Sequence, residues 1–172
     1  MINTLCFGDS NTWGYIPVTA ERHPIHARWT GVLQSTLGPA YRVIEEGLNG
    51  RTTAHDEPGR LGRNGLAVLP LLLKTHTPDC VIIMLGTNDL KPLFRRTAEQ
   101  IAHDAGRLCE AVQRSPHVSP KIVLVSPAHV NDLQPHNAAE FAGAKETSHE
   151  FAVHYEAIAN RLGVTFFDAA QV

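Results

Sequence analysis

The chain has little of what would mark a specialised class. It carries 3 cysteines in 172 residues, Cys6, Cys80 and Cys109. They are odd in number and far apart, which speaks against a disulfide framework and for buried thiols in a reducing compartment. Formal net charge is -2 with no long run of one sign, so neither a nucleic-acid surface nor an anionic membrane is indicated as a partner. No apolar stretch reaches about 18 residues, so no transmembrane helix is expected. The N-terminus lacks a basic segment followed by an apolar one, so no signal peptide is expected and a cytoplasmic location is. Gly-x-Gly-x-x-Gly and Gly-Lys-Ser/Thr loops are absent, as are His-Glu-x-x-His and paired-cysteine spacings. That leaves no nucleotide, metal or other cofactor to expect. The Gly-x-Ser-x-Gly elbow of another large hydrolase class is also missing.

What is present is ordinary globular material, 43% hydrophobic, and long enough for one domain with a sizeable core. Five apolar, β-rich runs begin at Thr4, Tyr41, Asp79, Lys121 and Val164. Their continuous apolar character suits strands covered on both faces. Helical patterns alternate with them. Trp29, Val32, Leu33 and Leu37 mark a short helix, and Leu66, Leu69 and Leu73 mark another. Thr97-Ala98-Glu99-Gln100 reads as a capping box ahead of Ile101, Ala105, Leu108, Cys109 and Val112 on one face. Thr147-Ser148-His149-Glu150 reads the same way ahead of Phe151, Tyr155, Ile158, Ala159 and Leu162. Such alternation predicts a parallel sheet with right-handed crossovers and helices on both faces. Two long loops, Ile16 to His26 and His129 to Lys145, are expected to be lids or contact surfaces.

Ligands of open parallel sheets sit at the carboxyl ends of the strands. The first run ends in Gly8-Asp9-Ser10, the second in Gly47-Leu48-Asn49-Gly50-Arg51-Thr52-Thr53, the third in Gly86-Thr87-Asn88-Asp89 and the fourth in Ser126-Pro127-Ala128-His129. Ser10 offers a hydroxyl nucleophile. The backbone amides of Ser10 and Gly50 and the side-chain amide of Asn88 can aim donors at one oxygen, as a tetrahedral oxyanion requires. A glycine at position 50 lets the backbone approach a ligand closely.

The blocks FGDSNTWG, GLNGRTT and MLGTNDL, in this order and each at a strand end, resemble those of the SGNH-hydrolase (GDSL esterase) family. RWTGVLQ, VIEEGLNGRTT, VIIMLGTND, FRRT and FFDA point more narrowly to bacterial arylesterases with acyltransferase and perhydrolase activity. The likeness runs from residue 2 to residue 170. It implies a flavodoxin-like α/β/α sandwich with a five-stranded parallel sheet in the order 2-1-3-4-5, over residues 1–172. It also implies Ser10 as nucleophile, Gly50 and Asn88 as oxyanion partners, and Trp13 in the acyl or alcohol pocket. Asp9, Arg51 and Thr87 are placed with Trp13 on the substrate side. Three of these keep alternatives: Asp9 as a structural acceptor of loop amides, Arg51 in a salt bridge with Glu45 or Glu46, and Trp13 as an ordinary core residue. Asn11 departs from the pattern, where the family name would put leucine.

The expected function is cleavage of short-chain aryl or alkyl carboxylic esters through an acyl-serine, with transfer to alcohols or hydrogen peroxide possible. The expected partner is a small-molecule ester, and the resemblance implies a homo-oligomer. A serine hydroxyl needs a base, which the family supplies in an Asp-x-x-His block after the fifth strand. No such block follows Phe167-Asp168-Ala169, so the chain is expected to be inactive without that segment unless His129 serves as base. The alternative from another class is a flavodoxin-like module that binds a small molecule or nucleotide without catalysis.

Overall fold

The computed structural model describes residues 1–131 and 138–172. Five strands form one parallel sheet: β1 (Ile2–Gly8), β2 (Tyr41–Gly47), β3 (Cys80–Met84), β4 (Lys121–Ser126) and β5 (Thr165–Asp168). Their order is β2-β1-β3-β4-β5, as expected. The chain therefore steps outward from β1 to β2, then crosses back over β1 to β3. Strand order reverses between β1 and β3, and a crevice opens at their carboxyl ends. The register brings those ends level, with Gly8 beside both Gly47 and Met84.

Helices α1 (Ser10–Trp13), α2 (Trp29–Leu37), α3 (Gly65–His76), α4 (Ala98–Gln113), α5 (Ala144–Ser148) and α6 (Phe151–Leu162) fall between or after the strands. One face of the sheet is sealed by α3, α4 and α6. Leu5, Phe7, Val81, Ile83 and Leu124 pack there against Leu69, Leu73, Ile101, Leu108 and Tyr155, all essentially inaccessible. The alternate residues of the same strands point the other way, as the period of two requires. There α2 packs over β2, and a groove of about 550 Å³ runs past Trp29, Leu33, Ile82, Met84, Val123, Val125 and Phe167. No helix among the described residues is long and apolar enough to cross a membrane.

The two expected capping boxes part company. At Thr97 both arms form: its hydroxyl accepts from the Gln100 N–H at 3.3 Å, and the Gln100 side chain accepts from the Thr97 N–H at 3.2 Å. At Thr147 the chain is already inside α5. The Thr147 hydroxyl donates back to Gly143 O, and the Ser148 hydroxyl donates to Lys145 O. Helix α6 starts instead after Glu150, which makes no side-chain cap. A hydroxyl can serve the turn behind it as well as the turn ahead, and the four-residue signature does not distinguish the two.

Cys6 and Cys109 are buried and Cys80 is half-buried, all as free thiols. Burial pushes the Cys109 thiol up to about 12 and Cys6 higher still, which leaves both chemically quiet. In the first long loop, Tyr15 and Arg22 form an antiparallel bridge and Ile25–Ala27 a 3₁₀ turn. Residues 132–137 of the second, Pro135 among them, lie outside the described residues.

Candidate active site

The carboxyl ends of β1, β2 and β3 are each shaped by glycine. A β-carbon on Gly8 would overlap the Thr12 side chain and sit 2.8 Å from Met84 O. The chain therefore turns tightly into α1. Asp9 caps that helix, its carboxylate accepting from the Asn11 N–H at 2.9 Å. Ser10 occupies the first helical position, where a backbone N–H has no acceptor within the helix. After β2, Gly50 takes φ +82, a region open mainly to glycine. Its N–H has no acceptor among the described residues. After β3, Gly86 takes φ +138 beside the Tyr155 hydroxyl, which donates to Leu85 O at 2.6 Å. The 3₁₀ turn Thr87–Leu90 follows and carries Asn88.

Ser10, Gly50 and Asn88 line one cleft of about 360 Å³. Asn11, Tyr15, Pro17, Asn49, Arg60, Lys91, Glu140 and Phe141 complete its walls. Both long loops thus reach it, the first through Pro17 and the second through Glu140 and Phe141. The Asn88 side-chain amide donates to Arg51 O at 3.1 Å, and its other contact, to the Asp9 carboxylate, is long at 3.4 Å. One N–H is therefore held firmly and the second is weakly committed, free for a ligand oxygen.

The four residues expected on the substrate side do not line this cleft. Asp9 is buried beneath it, 1% exposed, as its structural alternative had it. Burial pushes its carboxyl up to about 6, against the opposing pull of the Asn11 hydrogen bonds and the Arg51 charge. Arg51 is buried under the Phe7 ring, 4.3 Å from its centroid, and donates to Gly8 O at 3.0 Å and to Glu46 O. It ties the ends of β1 and β2 through backbone carbonyls, neither as a pocket rim nor in a carboxylate salt bridge. The carboxylates of Glu45 and Glu46 are taken by Arg22 and Arg28 and by His76. Burial lowers the Arg51 guanidinium to about 10. Trp13, drawn onto β2 where Gly47 leaves room for its backbone, packs against Tyr15 and under the Arg22 guanidinium. Thr87 accepts a long hydrogen bond, 3.4 Å, from the Asn11 side chain.

Other groups escaped the motif reading. Lys91 is 2% exposed, and its ammonium reaches Glu57 at 3.2 Å and Glu140 at 2.8 Å. Asp104, also buried, binds His55, Arg96 and Arg107. Asp89 is fully buried and accepts from the Thr53 N–H at 3.0 Å and from its hydroxyl at 2.6 Å. Neighbouring Asn88 in the same block masked it, since a motif does not say which polar residue faces inward.

Burial pushes the Asp89 carboxyl up to about 7. With Asp9 also raised, the folded chain holds protons that the unfolded chain has released by about pH 5. Stability therefore falls as pH rises from about 4, up to about pH 6 through Asp9 and up to about pH 7 through Asp89, each by up to about 1.4 kcal/mol per pH unit. Urea unfolding of wild type and Asp89→Asn at about pH 4 and about pH 8 checks this. The variant should gain on wild type at the higher pH; an identical difference at both would contradict it.

No histidine among the described residues lines the cleft. His129 instead packs on His149, with ring centroids 3.9 Å apart. Among the described residues no group of three or more His, Cys, Asp or Glu could hold a metal ion.

Comparison with known proteins agrees with this architecture. The family model described as GDSL-like lipase/acylhydrolase matches residues 6–172. An aryl esterase of M. smegmatis superposes with a TM-score of 0.96 at 42% identity, covering 100% of this chain and 86% of that one. A carbohydrate acetylesterase from Sinorhizobium meliloti gives 0.96 at 41% identity, covering 99% of this chain and 85% of that one. An arylesterase from Vibrio mimicus is 40% identical over 88 residues, 49% of this chain and 36% of that protein. The chain thus spans about a third of the length of that curated relative. A serine block, a glycine block and an asparagine block at three adjoining strand ends, with a family match across nearly all its length, place the chain in the GDSL-like lipase/acylhydrolase family.

Proposed function

We propose that this protein is a serine esterase acting on short-chain aryl or alkyl carboxylic esters, acetyl esters among them. The observation that carries the reading is the convergence of Ser10, Gly50 and Asn88 on one cleft. In the proposed cycle, Ser10 Oγ attacks the ester carbonyl and passes its proton to a base. The carbonyl oxygen becomes an oxyanion, met by the Ser10 and Gly50 N–H groups and the Asn88 amide. Collapse expels the alcohol, which takes the proton back, and leaves an acyl-serine. Water then adds and releases the carboxylic acid. An acceptor alcohol or hydrogen peroxide in place of water gives a new ester or a peracid, with the serine hydroxyl restored in each case. The names of the aryl esterase and carbohydrate acetylesterase relatives support an aryl or acetyl group near the cleft. Self-association is proposed on the exposed apolar face around Phe167, 48% exposed.

The base is the part of the cycle that the cleft does not display among the described residues. A fluorophosphonate should label the full-length protein on Ser10, as read by mass spectrometry of the peptides. Turnover of p-nitrophenyl acetate should rise sharply in a chain that carries an Asp-x-x-His block after the fifth strand. Labelling at another residue would end the esterase reading. Equal turnover with and without the block would assign the base to a group already in this chain.

A further inference from the structure

Arg60 lies on the loop between β2 and α3, outside every block that marks the family, yet it touches the peptide that matters most. Its guanidinium occupies the space a side chain at position 50 would take: a β-carbon there would sit 2.6 Å from Arg60 Cζ. Nη2 donates to Asn49 O at 3.1 Å. That carbonyl belongs to the same peptide group as the Gly50 N–H, which points to no acceptor among the described residues. The arginine is itself held in place. Nη1 donates to Glu57 at 3.1 Å, and the Glu57 carboxylate is also bound by the buried Lys91 at 3.2 Å.

We propose that Arg60 is a positioning residue for the oxyanion site, which polarises and orients the Asn49–Gly50 peptide so that the Gly50 N–H becomes a stronger donor. The inference rests on the esterase reading above. Its physics is that of a hydrogen-bonded chain. A cationic donor on a carbonyl oxygen draws density from the peptide nitrogen and strengthens the hydrogen bond given by the N–H at the other end. The effect grows as charge develops on the oxygen facing Gly50, so it favours the transition state over the bound ester. It also explains the glycine twice over: φ +82 disfavours a side chain, and the guanidinium has taken the room.

Two measurements on the full-length protein test it. In ¹H–¹⁵N spectra, Arg60→Met should move the Gly50 amide proton upfield, and Arg60→Lys should restore part of the shift. With a fluorophosphonate, Arg60→Met should label Ser10 about tenfold more slowly, a fraction of the roughly 100-fold cost of losing a donor outright. The loss should fall on the maximal inactivation rate, not on the half-saturating concentration. Arg60 is 37% exposed at its side chain, and Lys91 continues to neutralise Glu57, so the melting temperature should hold. An unmoved Gly50 resonance, or equal labelling of folded wild type and Arg60→Met, overturns the role of Arg60 alone. Failure of wild type to label at Ser10 overturns the esterase reading and this inference with it.

Discussion

Replacing Ser10 with alanine in the full-length protein should reduce ester turnover by roughly 1000-fold or more, while leaving the fold intact. Both halves follow from where the residue sits. Its hydroxyl makes no hydrogen bond to the described residues, so removing it orphans no partner. The stability change should stay within about 0.5 kcal/mol. Asp9, which caps the helix and holds Asn11, is untouched, so the backbone N–H of residue 10 keeps its place in the cleft. What is lost is the only aliphatic hydroxyl among the described residues that line the cleft with Gly50 and Asn88. Tyr15 lines the same cleft, but a phenol is a far poorer acyl carrier. Initial rates on p-nitrophenyl acetate, read beside thermal melts, check the expectation. A folded Ser10→Ala protein with undiminished, saturable turnover would refute the nucleophile assignment.

That prediction could be framed from the sequence because the site is built on backbone constraints. Gly8, Gly50 and Gly86 occupy places where packing or positive φ tolerates little else, and such constraints write themselves into short blocks. Strand order was legible for a related reason, since continuous apolar runs alternating with amphipathic helices admit few topologies. The charged framework was not legible. Lys91 meets Glu57 across 34 residues and Glu140 from another loop, and the Asp104 cluster draws in His55 from 49 residues away. Pairing at such distances is decided by tertiary packing and leaves no local period. Arg51 misled for a different reason. A residue inside a motif is read as facing ligand, yet here the motif conserves its shape through an arginine turned into the sheet, where backbone carbonyls of Gly8 and Glu46 receive it. Asp9, Trp13 and Thr87 share that logic, belonging to the two turns, after β1 and after β3, that carry Ser10 and Asn88.

Asn88→Ala separates the oxyanion role of that side chain from its structural one. Truncation removes the donor to Arg51 O, 3.1 Å away in a buried setting, so the fold should lose about 1–2 kcal/mol. If the second N–H also meets the oxyanion, kcat should fall a further 100- to 1000-fold, about 2.7–4 kcal/mol of barrier. KM should barely move, because the contact strengthens only as charge builds on oxygen. Asn88→Asp sharpens the comparison. It keeps the size, removes both N–H groups, and sets a second carboxyl against Asp9, now 3.4 Å from the Asn88 nitrogen. Two carboxyls that close resist ionising together, so the Asp9 carboxyl, already raised to about 6, should climb further and the variant should be least stable above about pH 7. Thr87→Ala serves as the neighbour control, since that hydroxyl only accepts a long bond from Asn11; its rates should stay within about twofold of wild type. An Asn88→Ala protein that folds and keeps its kcat would leave the oxyanion to backbone amides alone, and would turn the asparagine block into a scaffold for Arg51 rather than a part of the chemistry.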